Sequence, residues 1–111
     1  MLINVTKGYI IASNIEKAIN YWKRMKGLLG RISIPDDYAL VIYKCTGIHT
    51  YKMQFDIDVI FLDKDRKVIE IIRHMTPGNK TDIDSKRKYA IEMKAGLAPA
   101  GLQNGEELYW C

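Results

Sequence analysis

The sequence predicts an α+β fold: a curved antiparallel sheet or small barrel of about six to seven short strands, packed against one N-terminal amphipathic helix. Three observations carry that expectation. Apolar residues recur at three- and four-residue steps near the N-terminus (Ile15, Ala18, Ile19, Trp22, Met25), while the rest of the chain alternates short β-prone runs with Gly, Pro, Asn and Asp clusters. The length of 111 residues, 48% hydrophobic, suits a single domain over 1–111 with a real core.

Leu2 to Val5 and Tyr9 to Ala12 are short strand-like runs around the breaker Thr6-Lys7-Gly8, as in an opening hairpin or one bent strand. Ser13-Asn14-Ile15-Glu16 then fits a capping box, and the apolar spacing that follows predicts a helix over about 14–26, ended by Gly27 as a left-handed cap. Pro35-Asp36-Asp37 marks a turn before a strand at Tyr38 to Tyr43. Val59 to Leu62 and Val68 to Ile72 read as a hairpin around Asp63-Lys64-Asp65-Arg66-Lys67. Pro77-Gly78-Asn79 opens a polar loop to about Lys86, taken as the most flexible segment. Tyr89 to Met93 and, after Asn104-Gly105, Glu107 to Trp110 complete the strands.

Composition narrows the function classes. The N-terminus lacks the basic start, apolar core and small-residue cleavage site of a secretory signal, and no apolar run is long enough to cross a bilayer, so a soluble, cytoplasmic protein with no membrane partner is expected. Cys45 and Cys111 are the only cysteines and are expected as free thiols, Cys45 as a small buried hydrophobe. The formal charge of +4 is gathered on Lys17, Lys23, Arg24, Lys26 and Arg31 and on Lys86-Arg87-Lys88. Both groups read as solvated surfaces. No nucleic-acid-binding motif accompanies them, which argues against a nucleic-acid partner. The lysine- and isoleucine-rich composition is compatible with a hyperthermophile and equally with an AT-rich genome. Nothing in the sequence sets the oligomeric state.

Four stretches in order, RMKGLLGR (24–31), IHTYKMQFDIDVIFLDKDRKVIEI (48–71), YAIEMKAG (89–96) and NGE (104–106), carry a resemblance to a known family. From about Ala18 to Trp110 the chain resembles the domain-of-unknown-function one-ninety-two family of small prokaryotic proteins. Gly27 to Arg31 follow its Gly-Leu-Met-Gly-Arg-like stretch, with Leu29 where Met is usual. His49 and Thr50 belong to its Ile-His-Thr form, and Asp58 takes the acidic position of the strand that follows. Asp56 replaces a frequent Pro, and Glu106 stands for a usual Asp. The resemblance implies a single small β-rich domain with one helix and no agreed activity. Many members look exported.

The candidate site joins Arg31, the backbone of Gly27–Gly30, His49, Thr50 and Asp58 at the mouth of the sheet. An Arg beside glycine N–H groups suits a carboxylate or phosphate. A structural reading stands beside it, in which Asp58 accepts backbone or Arg31 hydrogen bonds and pins a crossover. No nucleophile accompanies His49. Cys45 and His49 with His74 or Asp58 lack the spacing of a zinc site, and no cofactor is implied. The leading expectation is a binding or accessory module for a small anionic ligand or a partner's terminus, rather than an enzyme. The alternatives are a small hydrolase-like or isomerase-like enzyme with His49 as acid/base, and a surface adaptor for nucleic acid or protein using the basic helix.

Overall fold

The computed structural model describes residues 1–111 and contains eight strands and one short helix. The strands are β1 (Leu2–Asn4), β2 (Tyr9–Ala12), β3 (Asn14–Ala18), β4 (Tyr38–Tyr43), β5 (Ile57–Leu62), β6 (Val68–Met75), β7 (Tyr89–Lys94) and β8 (Leu108–Tyr109), with helix α1 at Tyr21–Lys26. They form two sheets, β2-β1-β8 and β3-β4-β7-β5-β6. The expected α+β class, with its single curved sheet or barrel, is thereby corrected to a mostly-β fold in which neither sheet closes.

The expected N-terminal amphipathic helix is the main casualty. Its first half is β3, which pairs in parallel with β4 from Asn14 opposite Tyr38 to Ala18 opposite Ile42. The capping-box residues take other partners: Ser13 donates to Asp37 (3.0 Å), and Glu16 accepts from Arg31 and Tyr38. An open sheet edge offers this segment a ladder of backbone bonds, and that tertiary gain outweighs the weak helical preference of a short chain. Asn20 starts the true helix by accepting from the N–H of Lys23 (2.9 Å), and Gly27 ends it. None of the six helical residues is buried, so the apolar spacing that suggested a core-facing helix leaves Trp22 at 79% exposure.

The larger sheet is covered on both faces, which explains why β5 is buried at every position and β4 at all but its last. One face carries Ala39, Val41, Ile60, Leu62, Ile91 and Met93, and packs against Leu2, Leu108 and Trp110 of the smaller-sheet region. The other carries Leu40, Ile42, Ile57, Val59, Phe61 and Ala90 beneath Leu28, Ile34 and Met53. Segment 24–34 and the loop 45–55 are therefore the roof of this second face.

The roof is held by backbone bonds rather than by a further strand. Ile48 and Thr46 accept from the N–H groups of Thr81 and Asp84, and Thr50 exchanges bonds with Asn79. Gly47 has no room for a side chain, because a Cβ there would lie 2.8 Å from the Asp82 carbonyl oxygen. Arg87 locks the same junction. Read from sequence as part of a solvated charge run, it is 3% exposed, donates to the carbonyls of Thr46 and Asp82, pairs with Glu70 (2.6 Å) and lies 4.2 Å over the Phe61 ring.

Candidate functional site

Between the roof and the larger sheet lies an opening of about 150 Å³. Its floor is Glu92, the middle of β7, with Leu40 of β4 and Val59 of β5 directly opposite on either side. Strand alternation sends Glu92 to the same face as Ala90, into the second apolar cluster. It is 3% exposed. No donor of the protein reaches its carboxyl, yet no side-chain oxygen in the molecule is both sealed and unpaired, so its oxygens are reached through the opening. Burial in this unpaired state pushes its pKa up to about 7.

The walls are mainly apolar, with Met25, Leu28, Leu29, Ile42, Ile48 and Met53 in front of Glu92. Gly27 closes one side: its φ of +51 suits glycine, and a Cβ built there would stand 3.7 Å from Glu92 Oε1. Cys45 borders the pocket with its Sγ donating to the Gly47 carbonyl (3.2 Å). Burial, followed by smaller contributions including the nearby Glu92 charge, pushes the thiol up to about 11, which keeps it protonated at neutral pH and a poor nucleophile. Arg24, Lys26 and His49 complete the lining. Arg24 donates to the Ile19 carbonyl (3.2 Å), and no acidic side chain pairs with either Arg24 or Lys26.

The residues singled out from sequence are only partly brought together. Arg31 pairs with Glu16 (2.6 Å) and lies over the Tyr38 ring, while Tyr38 donates to the same Glu16 oxygen. The Tyr38 and Arg31 donors hold the Glu16 carboxyl below its ordinary range. Gly30 lies in the adjoining turn, closed by the Arg31 N–H on the Leu28 carbonyl. His49 is exposed at the pocket rim, where its ring stacks on Tyr51 and its Nδ1 accepts from the Tyr51 N–H. Thr50 is buried beneath it and donates to the Thr76 carbonyl (2.7 Å) while accepting from Asn79 (3.0 Å), so it ties down the 76–79 turn.

Asp58 is fully buried and faces away from Ile57 and Val59. One carboxylate oxygen accepts from the His74 N–H (2.9 Å), the other from those of Gly96 and Ala98 (3.0 Å each). It thus joins β6 and the 95–98 turn to β5, and makes no contact with Arg31 or His49. Among the residues first named, His49 and the Gly27–Leu29 part of the glycine segment border the opening over Glu92, whereas Gly30, Arg31, Thr50 and Asp58 do not. Glu92 itself was missed, although its setting in YAIEMK offered a signal: an acid at the centre of a short apolar strand.

These features define a class of small two-sheet protein with an acid-floored opening under a looped roof. The chain belongs to the family described as DUF192, Uncharacterized ACR, whose model matches residues 2–110. It is 32% identical to a UPF0127 protein of Thermococcus sibiricus, over 99% of this chain and 74% of that one. A UPF0127 protein of Pyrococcus furiosus is 28% identical, over 98% and 97% of the two chains. The fold matches a crystal structure of a protein of unknown function from Novosphingobium aromaticivorans with a TM-score of 0.84, at 21% identity over 98% of this chain and 82% of that one. No helix is long and apolar enough to cross a membrane.

Proposed function

We propose that the protein is a small binding module whose ligand enters the opening over Glu92. One observation carries this reading: a carboxyl nine-tenths buried, unpaired by the protein and reachable only through a small cavity. An unpaired buried carboxyl is costly, and folded proteins retain such groups mostly where they act on something else. The sites expected around Arg31 and Asp58 fit structural roles better, since Arg31 is tied to Glu16 and Asp58 to three backbone donors. His49 belongs to the rim as a contact residue, with Thr50 fixing the loop that carries it. The enzyme alternative loses support because His49 has neither Asp58 nor an ionised Cys45 beside it.

The test is an amide-resolved NMR screen of the intact protein with a library of small polar fragments. At least one compound should shift Gly27, Gly47, His49 and Glu92 together; hits that consistently avoid these residues would contradict the reading.

The adaptor alternative keeps one supporting observation. Helix α1 displays Trp22 at 79% and Tyr21 at 58% exposure beside Lys23, Arg24 and Lys26, with no acid in the helix. Exposed aromatics interleaved with cations suit a single-stranded nucleic acid. If this face is used, binding to an oligonucleotide should weaken steeply with salt and be lost in Trp22→Ala; salt-independent or absent binding would dismiss it.

A further inference from the structure

We infer that the ligand of the Glu92 pocket is a compact zwitterion, with an ammonium group seated on Glu92 and a carboxylate held at the rim by Arg24 and Lys26. This rests on the binding reading above and goes beyond it by naming the ligand's chemistry.

The only acid of the opening is the floor residue Glu92, and its other charged residues are Arg24 and Lys26, neither paired with an acid. A simple anion would meet the rim favourably but leave Glu92 unpaired beneath it. A simple cation would satisfy Glu92 but share the opening with Arg24 and Lys26. A molecule carrying both signs answers both sets of groups, and its ammonium supplies the charge-assisted hydrogen bonds that Glu92 lacks. Leu40 and Val59 beside Glu92 offer no competing polar group.

Size sets the second limit. An opening near 150 Å³ takes a molecule of about six heavy atoms, with slightly longer ones extending past the rim. Small amino acids have that size and both charges. The apolar walls at Met25, Leu28 and Ile42 accept a short methylene spacer and leave only the Cys45 thiol and His49 as polar side chains beside the charged groups, few for a sugar or a nucleotide.

Titration calorimetry on the intact protein, with NMR to locate binding, tests the inference. The probes are glycine, β-alanine and γ-aminobutyrate, with ethylammonium and propionate as single-charge halves at matched ionic strength. The best zwitterion should bind at least about tenfold more tightly than either half, a difference of ~1.4 kcal/mol. Glu92→Gln and the double variant Arg24→Ala/Lys26→Ala should each weaken it by a similar factor, with amide spectra showing both variants folded.

Ethylammonium binding as tightly as the zwitterions, or zwitterion binding untouched in Glu92→Gln, overturns the inference. So does the absence of binding by all three zwitterions. In that last case the fragment screen separates the two claims. Fragments that still shift Gly27, Gly47 and Glu92 leave the pocket as a binding site with another ligand class, whereas a screen empty over these residues removes both.

Discussion

Glu92→Gln should flatten the pH dependence of stability, with the variant gaining on the parent protein as pH rises. The Glu92 carboxyl titrates near 7 in the folded protein against an ordinary 4.5 in the unfolded chain. Below the lower value both states hold the proton and the group contributes no pH dependence. Between the two, the folded state binds the proton more tightly, so stability falls as pH increases, and above the upper value the full cost remains. Each tenfold difference in proton affinity corresponds to about 1.4 kcal/mol, so the parent should lose about 3 kcal/mol from this group across that window. Gln does not titrate. Urea unfolding at several pH values from 4 to 9, with the parent and variant compared at each, reads the effect as a widening gap; parallel profiles would show that Glu92 has an unrecognised partner.

Asp58→Ala should produce a large loss of stability. The substitution removes the acceptor of three backbone N–H groups, that of Ala98 in a buried bond and those of His74 and Gly96 in partly buried ones. The buried Ala98 donor costs about 1–3 kcal/mol and the two partly buried donors less, so the total should come to about 3 kcal/mol. Asp58→Asn, which keeps one acceptor oxygen but turns an amide toward a donor, should recover only part of this. An unchanged denaturation midpoint for Asp58→Ala would contradict the clasp and reopen a functional role for Asp58.

The contrast between the two carboxyls shows how far the sequence could be read. Strands β4, β5 and β7 were legible because their apolar runs are short and bounded by turn residues, and a sheet covered on both faces demands such runs. Segment 14–18 was not, since Ile15, Ala18 and Ile19 fit a helical period as well as a strand edge. The edge of β4, which decides between them, lies more than twenty residues away. Asp58 was legible as a buried acid in need of partners, but spacing could not show that backbone donors from two distant segments would supply them.

Glu92 and Arg87 were hidden for a related reason. Alternation in Tyr89–Lys94 places Glu92 opposite Ile91, but whether that second face meets water or a roof depends on where segment 24–34 and loop 45–55 fold. Arg87 reads as one of three consecutive cations until the carbonyls of Thr46 and Asp82 are seen around it. Local pattern thus reported which residues alternate, while the non-local roof determined which of them are buried.

On the proposed function, Glu92 is an unpaired acid at the floor of a ligand site. The most direct test is to follow its side-chain carboxyl carbon by ¹³C NMR across a pH titration, first in the free protein and then with the best-binding zwitterion. The midpoint should lie near 7 for the free protein and fall clearly when the ligand's ammonium stabilises the carboxylate. A midpoint in the ordinary carboxylate range without ligand, or one that ligand leaves unmoved, would contradict it.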